Sequence, residues 1–316
     1  MDAVVSRHAA ADAAAALLDL LGRLKALGYQ FVTPTPGVHA RVRRRRGATR
    51  EDALRDIFGW SRPFRPELLE PALLELLRLA GVVRRGADGL ELGIRVSTVG
   101  GRLFLHSAPT TDRHAVFLGP DSYRYVRFLR QQLAGGRGFQ TALDIGTGAG
   151  VGAVVLAGLD PSARVWGTDV NEAALAFARV NVASAGVVVE LVRCSGLPGG
   201  PERFDVIAAK PPYIAGEGDR VYRDGGDQLG AGLALEWVRA GVRRLAPGGR
   251  FLLYTGSAIV AGRDGVREAL LAIAEEHGLR LAYEEIDPDV FGGALARPAY
   301  CDVERIAAVG AVLSAP

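Results

Sequence analysis

Glycines at 146, 148, 150 and 152 follow directly on the apolar run Ala142, Leu143 and Ile145, after which Val154, Val155, Leu156 and Leu159 recur at helical spacing. The order reads as strand, tight turn, helix. Bare backbone suits such a turn, because the chain must bend sharply and come close to a ligand whose space a side chain would fill. A turn of this kind marks a nucleotide-type site at the carboxyl end of a parallel strand. The Gly-x-Gly-x-x-Gly spacing of dinucleotide sites is not met, since its third position falls on Val151. A second strand, 163–167, leads to Asp169 in Gly-Thr-Asp-Val-Asn, where a carboxylate can accept hydrogen bonds from both hydroxyls of a ribose. A third, 204–209, ends in Lys210-Pro211-Pro212-Tyr213, for which the dinucleotide pattern has no use.

The succession Asp-x-Gly-x-Gly-x-Gly, then Asp, then Pro-Pro-Tyr resembles the class I S-adenosylmethionine (SAM) dependent methyltransferases. More narrowly, it resembles the small-domain branch that carries Asn-Pro-Pro-Tyr and methylates planar or amide nitrogens, including the glutamine N5-methyltransferases of peptide-chain release factors. Gly225-Gly226, Leu229-Gly230 and Leu245-Ala-Pro-Gly-Gly249 add to the likeness. The resemblance implies SAM as cofactor and no metal. It places the cofactor against Phe117, Asp144, Gly146, Thr147, Gly148, Gly150, Asp169, Val170, Asn171 and Ser195, the last standing where relatives carry an acid for the adenine amino group. It assigns the chemistry to Lys210, Pro211 and Tyr213, and contacts with the acceptor to Tyr123, Lys210, Tyr213 and Tyr222. The segment 117–123 then becomes a candidate cofactor lid, or else a plain helix cap.

SAM carries an activated methyl on a sulfonium, so such an enzyme works chiefly by orientation, worth up to ~7–11 kcal/mol where alignment is good. In the Asn-Pro-Pro-Tyr relatives the Asn side-chain oxygen and the first proline carbonyl accept hydrogen bonds from the target N–H groups, and the aromatic ring packs on the substrate plane. Lys210 replaces that Asn, and an ammonium donates hydrogen bonds but accepts none. Three roles stay open for it: binding a carboxylate, carbonyl or oxyanion of a different acceptor; turning away to pair with Asp169 or Asp205; or acting as a base with a depressed pKa. The first leads to the expectation of a small polar acceptor, such as an amino acid or natural-product intermediate, methylated on nitrogen or oxygen. A peptide acceptor or a glutamine-type protein or ribosomal substrate is the alternative within the same enzyme class. A SAM-binding module that docks on RNA or a partner without methylation is the alternative outside it.

The elements that must position these residues alternate from 141 onward: strand 141–145, helix 149–159, strand 164–168, helix 171–183, strands 187–193 and 204–209, helix 228–245, strand 250–255, helix 264–277, and strands 279–285 and 302–313. Such alternation predicts an α/β fold, a Rossmann-like sheet of seven strands whose last strand enters antiparallel because no helix precedes it. Residues 111–316 form the expected SAM-binding domain. Residues 1–110 form an expected substrate-recognition or lid domain of helices and a hairpin around Gly100-Gly101, similar to a winged-helix module. In it lies Val38 to Arg46 with five arginines, read as a solvated edge rather than a nucleic-acid surface because no aromatics interleave the arginines.

With 316 residues, 49% hydrophobic and 23% charged, the composition is that of a globular protein with room for two domains. Net charge is only +3 and lysine occurs at 25 and 210 alone, so no large polyanion-binding face is called for. Cys194 and Cys301 have neither disulfide nor zinc spacing. Asp2, Arg7, Asp12 and Asp19 interrupt the apolar N-terminal stretch, from which a cytoplasmic protein without leader or membrane span is expected. Oligomeric state leaves no signature in the sequence.

Overall fold

Leu17, Leu20, Leu21 and Leu24 lie on one stripe of the first helix, α1 (Asp2–Ala26), and are buried. The computed structural model describes residues 2–45, 49–108, 112, 114–136, 138–214, 225–226 and 228–316, with side chains from residue 10 onward. The arginine run is not an open loop: α2 (Pro36–Arg43) begins there, with Thr35 accepting from the Val38 amide and Pro36 at its first position. A single π-turn at Arg55–Gly59 and a 3-10 turn at Pro66–Leu68 precede α3 (Pro71–Leu79), which starts at the second proline. Two antiparallel hairpins follow, β1 (Val83–Gly86) with β2 (Gly89–Leu92), and β3 (Ile94–Val99) with β4 (Arg102–Ser107).

Beyond α4 (Pro120–Leu133) the alternation proceeds through β5 (Thr141–Ile145), α5 (Val151–Leu159), β6 (Arg164–Asp169), α6 (Glu172–Ala185), β7 (Glu190–Arg193) and β8 (Phe204–Ala209). It ends with α7 (Gly232–Val242), β9 (Leu245–Val260), the two-residue β10 (Arg263–Asp264), α8 (Gly265–Glu276), β11 (Arg280–Asp287) and β12 (Arg305–Ser314). The sheet runs β11-β12-β9-β8-β5-β6-β7, with β10 attached to β9. Strands β5 to β9 are mutually parallel, and β12 inserts antiparallel between β9 and β11. This is a Rossmann-like α/β sheet.

Leu143, Ile145, Ile207 and Leu253 are wholly buried against α7 and α8 on one face of the sheet; Ala142, Val206 and Leu252 are buried on the other beneath α4 and α5. Burying a leucine or isoleucine stabilises by about 1.5–3 kcal/mol, so the central strands are the rigid part of the molecule. Strand order reverses about β5, with β6 and β7 to one side and β8 and β9 to the other. A crevice opens there, at the carboxyl ends.

The N-terminal elements are fastened to this sheet behind the crevice. Asn181 on α6, wholly buried, accepts from the Leu105 amide at 2.8 Å and donates to the carbonyls of Leu105 (3.0 Å) and Ala149 (2.8 Å). One side chain thus ties β4 to the glycine turn. At a second point the Thr33 amide donates to the Tyr123 hydroxyl at 2.8 Å, joining the segment before α2 to α4.

Candidate functional site

Three turns at strand ends build the crevice. At the first, Asp144 is 2% exposed, and its carboxylate accepts from Tyr125 Oη (2.8 Å), Thr147 Oγ1 (2.6 Å) and the Ala153 amide (3.0 Å). Burial raises its pKa, and the three donors, with Lys210 beyond them, only partly oppose this. A Cβ on Gly152 would stand 2.4 Å from Asp144 Oδ1, so the carboxylate fits over the start of α5 only because residue 152 is bare. Asp144 and Thr147 therefore brace the turn from beneath. Gly146 and Gly148 have φ of +66° and +56° and expose backbone to the crevice. Gly150, at φ +81°, caps α5 against Ala178 rather than facing the space.

At the second turn, Asp169 closes β6. One oxygen accepts from the Gly148 amide and the other from the Asn171 amide, both at 2.9 Å. Burial raises its pKa, opposed by those amides, that of Val170, and Lys210. Val170 and Asn171 line the crevice beside it. Asn171 caps α6 through the Ala173 amide and donates to the His114 carbonyl at 2.8 Å. That bond, with the Ser107–Val116 pairing, lays residues 114–117 across the opening, where Ala115, Val116 and Phe117 form its apolar wall.

The third turn follows β8. Lys210 and Pro212 line the crevice, while Pro211 and Tyr213 are buried behind it. Among the described residues Lys210 makes no hydrogen bond or ion pair, and Asp205 is spent on the Gln140 and Thr141 amides at the far end of the strand. Burial lowers the Lys210 pKa; the carboxylates of Asp121, Asp144 and Asp169 pull the other way without overcoming it. The Tyr213 ring packs edge-on to Phe291 at 5.7 Å and lies against Gly256, where a Cβ would collide with it. Its hydroxyl is buried without a well-formed hydrogen bond. Desolvation and the nearby Asp121 carboxylate keep it protonated.

Several side chains lie elsewhere than the sequence suggests. Ser195 is exposed and stands off the crevice; Cys194 and Gly196 on either side of it are the lining residues. Tyr123 faces Thr33 and Ser97 in the N-terminal part, not the crevice. Tyr222 lies outside the described residues. Asp121 was noted only as part of the helix start and candidate lid 117–123, and Trp237, on a helix remote from the motifs, went unremarked. Asp121 is 3% exposed, accepts from Tyr254 Oη at 2.9 Å and pairs with Arg124 at 3.3 Å, which in turn reaches Asp287 at 2.6 Å. Trp237 lies under Gly146. The proline–acid–hydroxyl pattern at 120–122 was the one available signal for Asp121; an aromatic at a helical position gave none for Trp237.

Among the described residues no cluster of His, Cys, Asp and Glu could hold a metal, and no helix is long and apolar enough to cross a membrane.

The methyltransferase small domain family model matches residues 126–261, which include all three turns. The release factor glutamine methyltransferase of Bordetella pertussis is 32% identical over 205 residues, 60% of this chain and 72% of that protein. That of Cereibacter sphaeroides is 38% identical over 146 residues, 42% of this chain; the match spans about half, 52%, of the relative's length. Among solved structures, the T. thermophilus 16S rRNA N2 G1207 methyltransferase, in complex with AdoMet and guanosine, is 18% identical with a TM-score of 0.46, covering 78% of this chain and 61% of that one. These relatives correct the expectation of a small-molecule acceptor, since they are named for a glutamine in a protein factor. By its sequence the chain belongs to the class I SAM-dependent methyltransferases, in the small-domain branch that includes the release factor glutamine methyltransferases.

Proposed function

We propose that this chain methylates the side-chain amide nitrogen of a glutamine in a protein acceptor such as a release factor. The observation that carries the reading is the similarity to the Bordetella enzyme over nearly three quarters of that enzyme's length, joined to a crevice whose third turn is Pro-Pro-Tyr. Residues fit SAM at the other two turns: a half-buried carboxylate at Asp169, bare backbone at Gly146 and Gly148, and apolar walls at Val116 and Leu233. Bound there, SAM supplies a methyl group already activated on sulfonium sulfur. The first 110 residues are proposed as the part that recognises the acceptor, and the two unpaired cysteines suit a cytoplasmic setting.

What remains for the chain is to hold the amide and take up its proton. An amide nitrogen shares its lone pair with the carbonyl, so groups that accept its N–H bonds are needed to make it nucleophilic. A charged Lys210 could not serve; a neutral amine has one lone pair and can. The desolvation that lowers the Lys210 pKa favours the neutral form, and a sulfonium nearby would push it the same way. Lys210 then takes the place of the relatives' Asn as acceptor, and in addition can carry the proton away. The Pro211 carbonyl, to which no described residue donates, supplies the second acceptor.

Labelled SAM, the enzyme and a purified release factor provide the test. Methyl incorporation mapped by peptide mass spectrometry is expected on a glutamine side chain. Transfer to another residue type, or to none, contradicts the proposal.

A further inference from the structure

The indole of Trp237 spans the floor of the crevice from the glycine turn after β5 to the turn after β7. A Cβ on Gly146 would lie 2.6 Å from Trp237 Cη2, and one on Gly196 would lie 3.7 Å from both Cδ1 and Nε1. The benzo edge thus abuts the glycine turn, while the pyrrole edge faces the turn after β7. Trp237 is 8% exposed, lines the crevice, and its Nε1 is buried with no hydrogen-bond partner among the described residues. A buried N–H left unpaired is costly, and buried donors are rarely left so. Core packing beside Ile145 and Leu235 accounts for the ring but leaves the donor of this crevice-lining residue unused.

We infer that Trp237 is a cofactor-binding residue, its Nε1–H donating to a ring nitrogen of the SAM adenine and its ring edge flooring the adenine subsite. The inference rests on the SAM crevice proposed above. With the ribose at Asp169, the adenine extends toward Val170, Cys194 and Gly196, the side on which Nε1 lies. Adenine ring nitrogens are acceptors, and an indole N–H is a donor only. Ser195 is exposed and off the crevice, and α7 offers a donor to the ring nitrogens from the opposite wall. The same residue gives the chain a preference for purines that present an acceptor at that position.

Trp237→Phe keeps an aromatic ring on α7, gives up the benzo contact with Gly146 and deletes the N–H. Calorimetric affinity for S-adenosylhomocysteine is expected to fall by roughly three- to tenfold. Wild-type tryptophan emission should change on titration with S-adenosylhomocysteine, and the change should vanish in the variant, where Trp60 and Trp166 remain as references. In the wild type, one of the 1-, 3- and 7-deaza analogues should lose the same factor, and Trp237→Phe should not discriminate that analogue. Equal affinity of wild type and variant, or full affinity of the wild type for all three analogues, overturns the inference. If the variant misfolds, full affinity of the wild type for all three analogues still overturns the inference. No binding by the wild type at all would instead overturn the crevice reading and this inference with it.

Discussion

The two ends of one crevice are finished to different degrees. At the Asp144 end, each carboxylate oxygen already meets a hydroxyl or an amide, and Asp169 is held by two backbone N–H groups. At the Lys210 end, the lysine side chain has no partner among the described residues, and the Tyr213 hydroxyl, buried behind the crevice, forms no well-formed bond among them. The first end is preorganised by the fold itself; the second has polar capacity that an acceptor must complete. Groups that must hold a common cofactor can be locked in place, whereas groups that take a proton need an open valence.

The contrast can be broken most forcefully at Asp144. Replacing it with Ala strands the Tyr125 hydroxyl, the Thr147 hydroxyl and the Ala153 amide inside the core, at about 1 kcal/mol each, so chemical denaturation should show a loss of about 3 kcal/mol. Unchanged stability would mean the turn is not braced from beneath. Next in size is Asp169→Ala, which leaves the fold nearly intact and removes a charged acceptor worth ~1.5–3 kcal/mol, so S-adenosylhomocysteine affinity should drop roughly tenfold or more by calorimetry. An unaltered affinity would remove Asp169 from the cofactor side. The smallest effect belongs to the open end: Tyr213→Phe gives up a hydroxyl that has no formed bond, and stability should stay within about 0.5 kcal/mol of wild type. A loss of several times that size would show the hydroxyl to be as saturated as Asp144.

The same division governs what could be read in the sequence. Glycine spacing, Asp169 and the order of strands and helices are local signals, and β5, β6, β8 and the antiparallel entry of β12 stand where the pattern puts them. β9 runs from Leu245 to Val260, longer at both ends than the apolar segment 250–255, because pairing with β12 carries it past Thr255 and its edge with β8 absorbs an irregularity near Pro247 to Gly249. α2 was hidden by its arginines, whose charge says nothing about helix formation when Thr35 and Pro36 supply the start. Ser195 was assigned by its place beside a motif. In space the carbonyl of Gly196 accepts from Thr168 at 2.6 Å, and the turn so fixed leaves Ser195 outward. Asp121 had only the helix-start pattern at 120–122 and Trp237 had no local signature, since what distinguishes them is which remote strand ends they meet.

The account stands or falls on the protonation of Lys210. Its pKa is lowered by burial, so the neutral, accepting form grows as pH rises through a value below the ordinary 10.5, and kcat/KM for glutamine methylation should climb along that limb. Lys210→Asn supplies a pH-independent acceptor in the same turn. The pH–rate profiles of the two enzymes, taken with the same release factor, measure this directly. The predicted result is a rising limb in wild type that is absent in Lys210→Asn, with S-adenosylhomocysteine affinity the same in both. An identical limb in both profiles, or wild-type activity greatest where Lys210 is charged, would contradict the claim that a neutral lysine replaces the asparagine of its relatives.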